Sequence, residues 1–186
     1  MWTWRLKDET AIGTPAVPAS SFFVRRLAAH VQTGALPDCF GDDVTVVPIP
    51  GHAPALPNGL WVPARLCDQM VAQGLAAVSE PWLERVTAVE KSRTLVRPTA
   101  LQHQHSMRVV PTEVPGRRIV LVDDVITRGA VGLASASLLA ARFPGCSITL
   151  FAMIRTISDP RMFASMLTPC FGTVTLEPDG STKRSP

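Results

Sequence analysis

Two neighbouring carboxylates, Asp123 and Asp124, directly follow an uninterrupted apolar run at residues 119–122. The run predicts a buried parallel strand, and ligands of open parallel sheets bind beyond the carboxyl ends of the strands. Because adjacent residues at a strand end point in different directions, one carboxylate can bind a sugar diol while the other orients the loop or the water shell of a magnesium ion. An aspartate pair that makes only turn and cap contacts is the alternative.

The loop after the acid pair consists of Val125, Ile126, Thr127, Arg128, Gly129, Ala130 and Val131. A helix is expected to begin inside it, and the unpaired N–H groups of a first helical turn carry the positive end of the helix dipole. Gly129 lets the backbone approach an anion closely, and Thr127 adds a hydroxyl donor. An ordinary capped loop without a ligand is the alternative. Together with the acid pair, the loop suits a ligand that carries sugar hydroxyls, a divalent metal ion and a phosphate.

The elements that must position these groups alternate between strand and helix patterns. They are predicted strands at 44–47, 118–122 and 147–154 and predicted helices at 63–77 and from 131 onward. The last helix is expected to bury residues spaced three and four apart, namely Val131, Ala134, Leu138 and Ala141. This rhythm implies right-handed βαβ units. We therefore expect an α/β fold with an open, mainly parallel, twisted sheet flanked by helices.

The segments on either side of this unit carry weaker patterns. Alternation from Trp2 to Leu6 predicts a half-buried strand. A helix capped by Ser20 or Ser21 is predicted to run to Val31. Further predictions are a strand at 85–89, a short helix at 158–167 and an edge strand at 172–176.

Length and composition fit a globular protein. The chain has 186 residues, of which 46% are hydrophobic and 18% are charged, so it can bury a sizeable core. We predict a single domain at residues 1–178 and a flexible tail at 179–186. The net charge of +3 suits an anionic small ligand but does not by itself support nucleic acid as a partner.

Cysteine usage and hydropathy favour a cytoplasmic protein. The four cysteines form no C-x-x-C pair, so the sequence signals no zinc site and favours buried thiols in a reducing compartment. Charges within residues 1–8 do not fit a signal peptide, and no apolar stretch approaches the roughly 20 residues that span a bilayer. We therefore expect a cytoplasmic location and no membrane contact.

Residues 90–109, here called the hood, are polar and basic without a clear period. A segment of this length inside a compact domain is typical of a functional flap or a mobile loop. Its cations could close over a bound anion, and they are Lys91, Arg93, Arg97 and Arg108. The alternative is a solvated basic loop, and for any single one of these cations that alternative is the better interpretation. His103 and His105 would share a face on a strand, where a polar surface is a better interpretation than a zinc site.

The strand, the acid pair and the loop together resemble the phosphoribosyl diphosphate signature of type I phosphoribosyltransferases, over Ile119 to Val131. Two positions depart from the commonest form of that signature. Arg128 stands where a threonine is frequent, and Val131 stands where the family usually has threonine or serine. At Val131 a hydroxyl contact to the 5′-phosphate is therefore missing, although backbone donors remain.

Weaker motifs extend the resemblance over about residues 44–155. Residues 46–50 look like the strand and proline loop of the ComF family of competence-associated phosphoribosyltransferase-like proteins, and residues 151–155 resemble that group's last core strand. Residues 51–53 fall where a loop of type I enzymes embraces the diphosphate. The group's four-cysteine zinc module is absent from this sequence, and its Arg-Gly-Phe-Asn-Gln motif is not recognisable at residues 60–69.

The resemblance implies a protein that binds 5-phosphoribosyl 1-diphosphate with Mg²⁺ and moves phosphoribose to or from a nitrogenous base or amine. Asp123 and Asp124 would be the catalytic residues, because they would bind the ribose and partly neutralise the positive charge of an oxocarbenium-like transition state. They would also hold Mg²⁺, directly or through water. Residues 123–131 would bind the ribose and its 5′-phosphate. The diphosphate would lie against Pro50, Gly51, His52, Lys91 and Arg93.

Two interpretations without catalysis compete with this one. A non-catalytic sensor could bind the sugar diphosphate or a nucleotide and signal to a partner, and the Val131 departure favours it. An accessory protein of DNA uptake, of the ComF type, is the other, and it depends on analogy between folds alone. Type I relatives are commonly dimers, so the resemblance also implies a homodimer.

Overall fold

The structure, a computed structural model, describes residues 2–34, 36, 39–90, 97–110, 117–157 and 169–185. In these ranges the helices are α1 (Trp2–Lys7), α2 (Ala19–Gln32), α3 (Val62–Ala72), α4 (Ala100–His105) and α5 (Ala130–Arg142). The strands are β1 (Gly41–Pro48), β2 (Ala76–Ser79), β3 (Leu83–Arg85), β4 (Met107–Val109), β5 (Arg118–Ile126), β6 (Ser147–Arg155), β7 (Thr173–Leu176) and β8 (Thr182–Ser185). The short helix predicted at 158–167 lies outside the described residues.

A four-stranded sheet forms the centre of the fold. Its strand order is β2-β1-β5-β6, and every neighbouring pair is parallel. β1 pairs with β5 as far as Pro48 opposite Val122, whereas β5 and β6 continue in register to Ile126 opposite Arg155. The predicted α/β class, with a parallel sheet flanked by helices, is confirmed.

Alternate side chains of the central strands enter two different cores. Val46 and Val120 are buried in a cluster with residues of α2 and α3. Their neighbours Val47 and Leu121 are buried in a second cluster with Leu139 of α5. Because both faces of these strands are covered in their centres, residues 44–47 and 119–122 are buried on both sides and rich in apolar side chains, and this pattern makes them recognisable in the sequence.

Two small antiparallel sheets lie outside the central one. β3 pairs with β4, and β7 pairs with β8 in what we call the C-terminal hairpin. Residues 182–185 were predicted to belong to a disordered tail, and the structure instead makes them β8. The division of the chain into one domain and a tail stays a prediction.

The strand predicted from Trp2 to Leu6 is wrong, because this segment is α1. Residues four apart lie on one side of a helix, and here Leu6 is fully buried while Trp2 stacks on Phe22 at 6.0 Å between ring centroids. An alternation over five residues is too short to separate the period of a strand from that of a helix. The helical geometry brings Lys7, the last residue of α1, toward the central sheet.

The serine cap predicted for α2 is also wrong. The helix begins at Ala19, one residue before Ser20. The backbone N–H and the hydroxyl of Ser20 both donate to the Glu9 carboxylate, at 2.9 Å each. A carboxylate from the preceding turn therefore lies at the N-terminus of α2, where the helix dipole favours negative charge.

The lengths and buried faces of the later helices differ in detail from the predictions. α3 ends at Ala72 rather than at about Ala77, and Gly74 follows in a left-handed conformation with φ +69°. In α5 Leu139 is buried, whereas Ala141, which was predicted to be buried, is exposed. None of the described helices is long and apolar enough to cross a membrane.

The hood is regular in the half that the structure describes. This half contains α4, which Thr99 caps, and β4. The expectation of a hood without regular structure is therefore wrong here, while residues 91–96 lie outside the described ranges. The strand predicted at 85–89 is wrong in its bounds, because β3 ends at Arg85 and residues 86–89 are not in a strand.

Candidate functional site

The acid pair lies where the central sheet becomes narrower. β5 does not end at Val122, as predicted, but continues through both aspartates to Ile126. β1 stops at Pro48, opposite Val122, and the Ile49 N–H then makes a last bond to the Val122 carbonyl at 2.9 Å. Asp123 and Asp124 therefore follow immediately after the end of β1 while β6 still pairs with β5. The prediction that the pair lies at the carboxyl side of the sheet holds, although the strand is longer than expected.

The two carboxylates are fixed by short backbone contacts. Asp123 Oδ1 accepts from the Asp124 N–H at 2.9 Å, and Asp124 Oδ1 accepts from the Val125 N–H at 2.8 Å. Asp124 is buried and Asp123 is half-buried. Burial and the adjacent Asp124 raise the pKa of Asp123 well above its usual range. Because these two neighbouring carboxyl groups are poorly solvated, a cation or hydroxyl donors between them would stabilise their negative charge.

A lysine from the opposite end of the sequence contacts the acid pair. Lys7 Nζ lies 2.7 Å from Asp124 Oδ2 and forms an ion pair with it. The Lys7 side chain is 36% exposed and the Asp124 side chain only 12%, so the pair lies at the entrance of the site. Lys7 is not recognisable from the sequence, since a single basic residue in a charged N-terminal segment carries no local sign of a partner.

The loop after the acid pair turns at Gly129, which is buried. Gly129 is the N-cap of α5 and has φ +83°, a left-handed conformation that glycine adopts without strain. Its neighbours Thr127 and Arg128 are exposed. Val131 is half-buried and packs against the second core cluster, so its side chain has a packing role in the structure.

The C-terminal hairpin lies directly on this loop. A Cβ atom added to Gly129 would come within 2.8 and 2.9 Å of the two methyl groups of Val174 in β7. Arg184 in β8 donates to the carbonyl oxygens of Ile126, at 3.1 Å, and Thr156, at 2.6 Å. The hairpin therefore fastens the ends of β5 and β6 together at the point where the loop begins.

Arg184 lies near a second arginine, Arg155 at the end of β6. Burial and the nearby Arg155 lower the pKa of Arg184. The sequence analysis did not single out Arg184, which it placed in a disordered tail.

The loop after β1, predicted to hold a diphosphate, lies beside the acid pair in the sheet. Pro50 is buried, while Gly51 and His52 are exposed. The Ile49 carbonyl accepts from Trp61 Nε1 at 2.9 Å, and the His52 carbonyl accepts from the Val89 N–H at 2.8 Å. These contacts hold the loop from both sides and leave its exposed backbone at the mouth of the site.

A buried arginine, Arg85, also binds the backbone of this loop. Arg85 Nε donates to the Gly51 carbonyl at 2.8 Å, and Arg85 Nη1 donates to the Ser106 hydroxyl. Arg85 Nη2 also lies 3.4 Å from His103 Nδ1. Burial lowers the pKa of Arg85 to about 10. Burial and the Arg85 charge lower the pKa of His103 to about 4, so this imidazole is neutral at physiological pH.

The hood histidines and cations are distributed differently from the predictions. His103 is buried in the Arg85 cluster, which corrects its assignment to a polar surface, and His105 is exposed. Arg108 pairs with Glu84 across β3 and β4 at 2.7 Å, so its charge already has a partner. Arg97 is exposed. Lys91 and Arg93, the other predicted diphosphate ligands, lie outside the described residues.

The chemistry of the acid pair fits magnesium. Mg²⁺ is typically held by one or two carboxylates and keeps water or substrate oxygens as its other ligands. Asp123 and Asp124 would supply those carboxylates. Over the described residues, no group of three or more His, Cys, Asp or Glu side chains is arranged to hold a metal ion by itself. A cation at this site would therefore fill its other coordination positions with water or with oxygens from a ligand.

Comparison with known proteins adds no family assignment. No protein-family model matches the chain, and a search of curated proteins gives no significant match.

Proposed function

We propose that the protein is a type I phosphoribosyltransferase-like protein of the ComF-like group, which binds 5-phosphoribosyl 1-diphosphate with Mg²⁺. We propose further that it transfers phosphoribose to or from a nitrogenous base or amine. The observation that carries this proposal is the order of groups along β5. The acid pair, the left-handed Gly129 and the start of α5 follow each other directly, and the Gly51 loop lies on the neighbouring strand.

Each part of the ligand has a counterpart in this arrangement. The ribose hydroxyls would donate to Asp123 and Asp124. The 5′-phosphate would accept from backbone N–H groups of residues 127–131, supported by the dipole of α5. The diphosphate would lie at Pro50, Gly51 and His52, beside the end of β1.

The reaction would be a displacement at the anomeric carbon of the ribose. The bond from this carbon to the diphosphate oxygen breaks, the diphosphate leaves with the bonding electrons, and a nitrogen lone pair forms the new bond. Positive charge grows on the ribose in the transition state, so the carboxylates of Asp123 and Asp124 stabilise it electrostatically. Bound Mg²⁺ supplies charge neutralisation for the departing diphosphate. The protein's own contribution is positioning and charge rather than a covalent intermediate.

Ligand binding tests the proposal without assuming turnover. Phosphoribosyl diphosphate with Mg²⁺ should raise the melting temperature of the wild-type protein, and Asp123→Asn should abolish this rise. Asp42→Asn is the matched control, because Asp42 is an exposed acid on the far end of β1. A full thermal shift in Asp123→Asn would contradict the assignment of the site. Incubation with a panel of bases and amines, followed by measurement of released diphosphate, then tests the transfer reaction.

One observation favours a binder that does not catalyse. The ammonium group of Lys7 already neutralises Asp124, and Val131 packs against the core where the family signature carries a hydroxyl. Both features weaken the interactions that a transferase needs in its transition state. Neither of them blocks the binding of a ligand at the Gly129 loop. A protein of this kind would show the thermal shift with phosphoribosyl diphosphate but release no diphosphate with any base.

A further inference from the structure

We infer that Lys7 is an internal cation that competes with a divalent metal ion for Asp124, and so sets the metal concentration at which the site fills. The inference deepens the proposed function, because it concerns the cation requirement of the same acid pair. Lys7 would be a positioning residue, since it acts through Asp124.

The geometry makes the lysine a resident cation. Each carboxylate oxygen of Asp124 already has one partner: Oδ1 accepts from the Val125 N–H, and Oδ2 accepts from Lys7 Nζ. A metal ion that approaches Asp124 would therefore meet an ammonium group on the outer oxygen. Both cations seek the same negative charge, and they repel each other at contact distance.

The lysine can leave without moving its helix. Leu6 is fully buried and Trp2 stacks on Phe22, so the backbone of α1 is held to α2 and the core. The Lys7 side chain, in contrast, is partly exposed and has a flexible four-carbon stem. Displacement would require only a change of rotamer that moves the ammonium group into water. The exchange is therefore a local event and can be measured in the folded protein.

Arg5 offers a matched control on the same helix. It is exposed, and its guanidinium lies 5.7 Å from the centre of the Trp2 ring rather than at the acid pair. Removal of its charge changes the net charge of the protein as much as removal of the Lys7 charge. An effect that is specific to Lys7 therefore reports the contact with Asp124.

The experiment measures binding of Mn²⁺ alone, by electron paramagnetic resonance, to wild-type protein and to Lys7→Met, Lys7→Arg and Arg5→Met. Lys7→Met should lower the Kd for Mn²⁺ by about tenfold, which corresponds to about 1.4 kcal/mol. Lys7→Arg should keep the wild-type Kd because it keeps the cation, and Arg5→Met should change it little. Asp124→Asn added to Lys7→Met should remove the gain. Circular dichroism and thermal unfolding check that each variant is folded.

A second measurement uses the wild-type protein and does not depend on any substitution being tolerated in the fold. The ¹³Cε and ammonium resonances of Lys7 should report an ordered ion pair that is lost as Mg²⁺ is added. An equal Kd for Mn²⁺ in wild type and Lys7→Met, no saturable binding in either, or a Lys7 signal that Mg²⁺ does not change would each overturn the inference.

The experiments distinguish a failure of the inference about Lys7 from a failure of the proposed function. Tighter Mn²⁺ binding by Lys7→Met, without any binding of phosphoribosyl diphosphate, would support the role of Lys7 and reject the ligand. Binding of phosphoribosyl diphosphate by the wild-type protein with an unchanged Kd for Mn²⁺ in Lys7→Met would do the reverse.

Discussion

Lys7 Nζ and Asp124 Oδ2 lie 2.7 Å apart, although the two residues are separated by 117 positions in the chain. The contact joins α1 to the central strand β5 at the only point where that strand carries carboxylates. The acid site is therefore a product of tertiary packing, because its ion pair joins two residues that are far apart in the sequence. The chemistry of the pair therefore depends on the docking of α1, which is held to the core through the buried Leu6.

Substitution of Asp123 should separate stability from function. Asp123→Asn replaces a poorly solvated carboxyl group, whose charged form is disfavoured by burial and by Asp124, so we expect the free energy of unfolding at pH 7 to stay equal or to rise by about 1 kcal/mol. The same change should abolish stabilisation by phosphoribosyl diphosphate with Mg²⁺. Chemical denaturation with and without the ligand measures both effects. A large loss of stability in the ligand-free variant would instead assign Asp123 a structural role.

A methyl group at Gly129 should distort the anion loop. Gly129→Ala combines a left-handed φ with a clash against Val174, so we expect a destabilisation of about 2 kcal/mol or more and loss of phosphate binding. Gly145→Ala is the matched control, since Gly145 has φ +90° but no heavy atom within 4 Å of the added Cβ. Gly145→Ala should lower the free energy of unfolding only by the strain of the left-handed conformation, about 1–2 kcal/mol.

The contact with Val174 can be tested separately by a double variant. Val174→Ala removes both methyl groups that an added Cβ would meet, so it should recover part of the stability that Gly129→Ala loses. Denaturant unfolding of the two single variants and the double variant gives the coupling free energy. Additive effects would show that the hairpin does not lie on the loop.

The sequence predicts the site best where its signals are local. The apolar centres of β1 and β5 and the glycine of the loop are readable because burial on two faces and a left-handed turn demand particular residue types. Lys7 and Arg184 could not be found in this way, since each depends on a contact with a strand far away in the chain. The short α1 and α4 were missed because five or six residues are too few to establish a helical period.

Arg85 should contribute to stability far more than an exposed arginine does. Arg85→Met leaves the Gly51 carbonyl and the Ser106 hydroxyl without their buried donor, and each lost partner costs about 1–3 kcal/mol. We also expect weaker binding of diphosphate, because the Gly51 loop loses its support. Denaturant unfolding and titration with diphosphate measure the two effects.

Arg108→Met is the matched control for this substitution. Arg108 and Glu84 form a pair in which both side chains are largely exposed, and such pairs contribute about 0–1 kcal/mol. Equal losses of stability in the two arginine variants would contradict the tethering role of Arg85.

His103 should make the protein less stable at acidic pH. Its pKa is about 4 in the folded protein, below the ordinary value of 6.5, because it is buried beside Arg85. As the pH falls from 6.5, the unfolded chain binds the proton first, so the free energy of unfolding should fall between pH 6.5 and pH 4 and this contribution should level off below pH 4. With about 1.4 kcal/mol per pKa unit, the loss is on the order of 3–4 kcal/mol. Urea unfolding of the wild type and His103→Gln across this range should show a difference that shrinks as the pH falls. His105→Gln, which replaces the exposed histidine two residues further on, should follow the wild-type curve, and an identical result for His103→Gln would show that His103 is not buried in its neutral form.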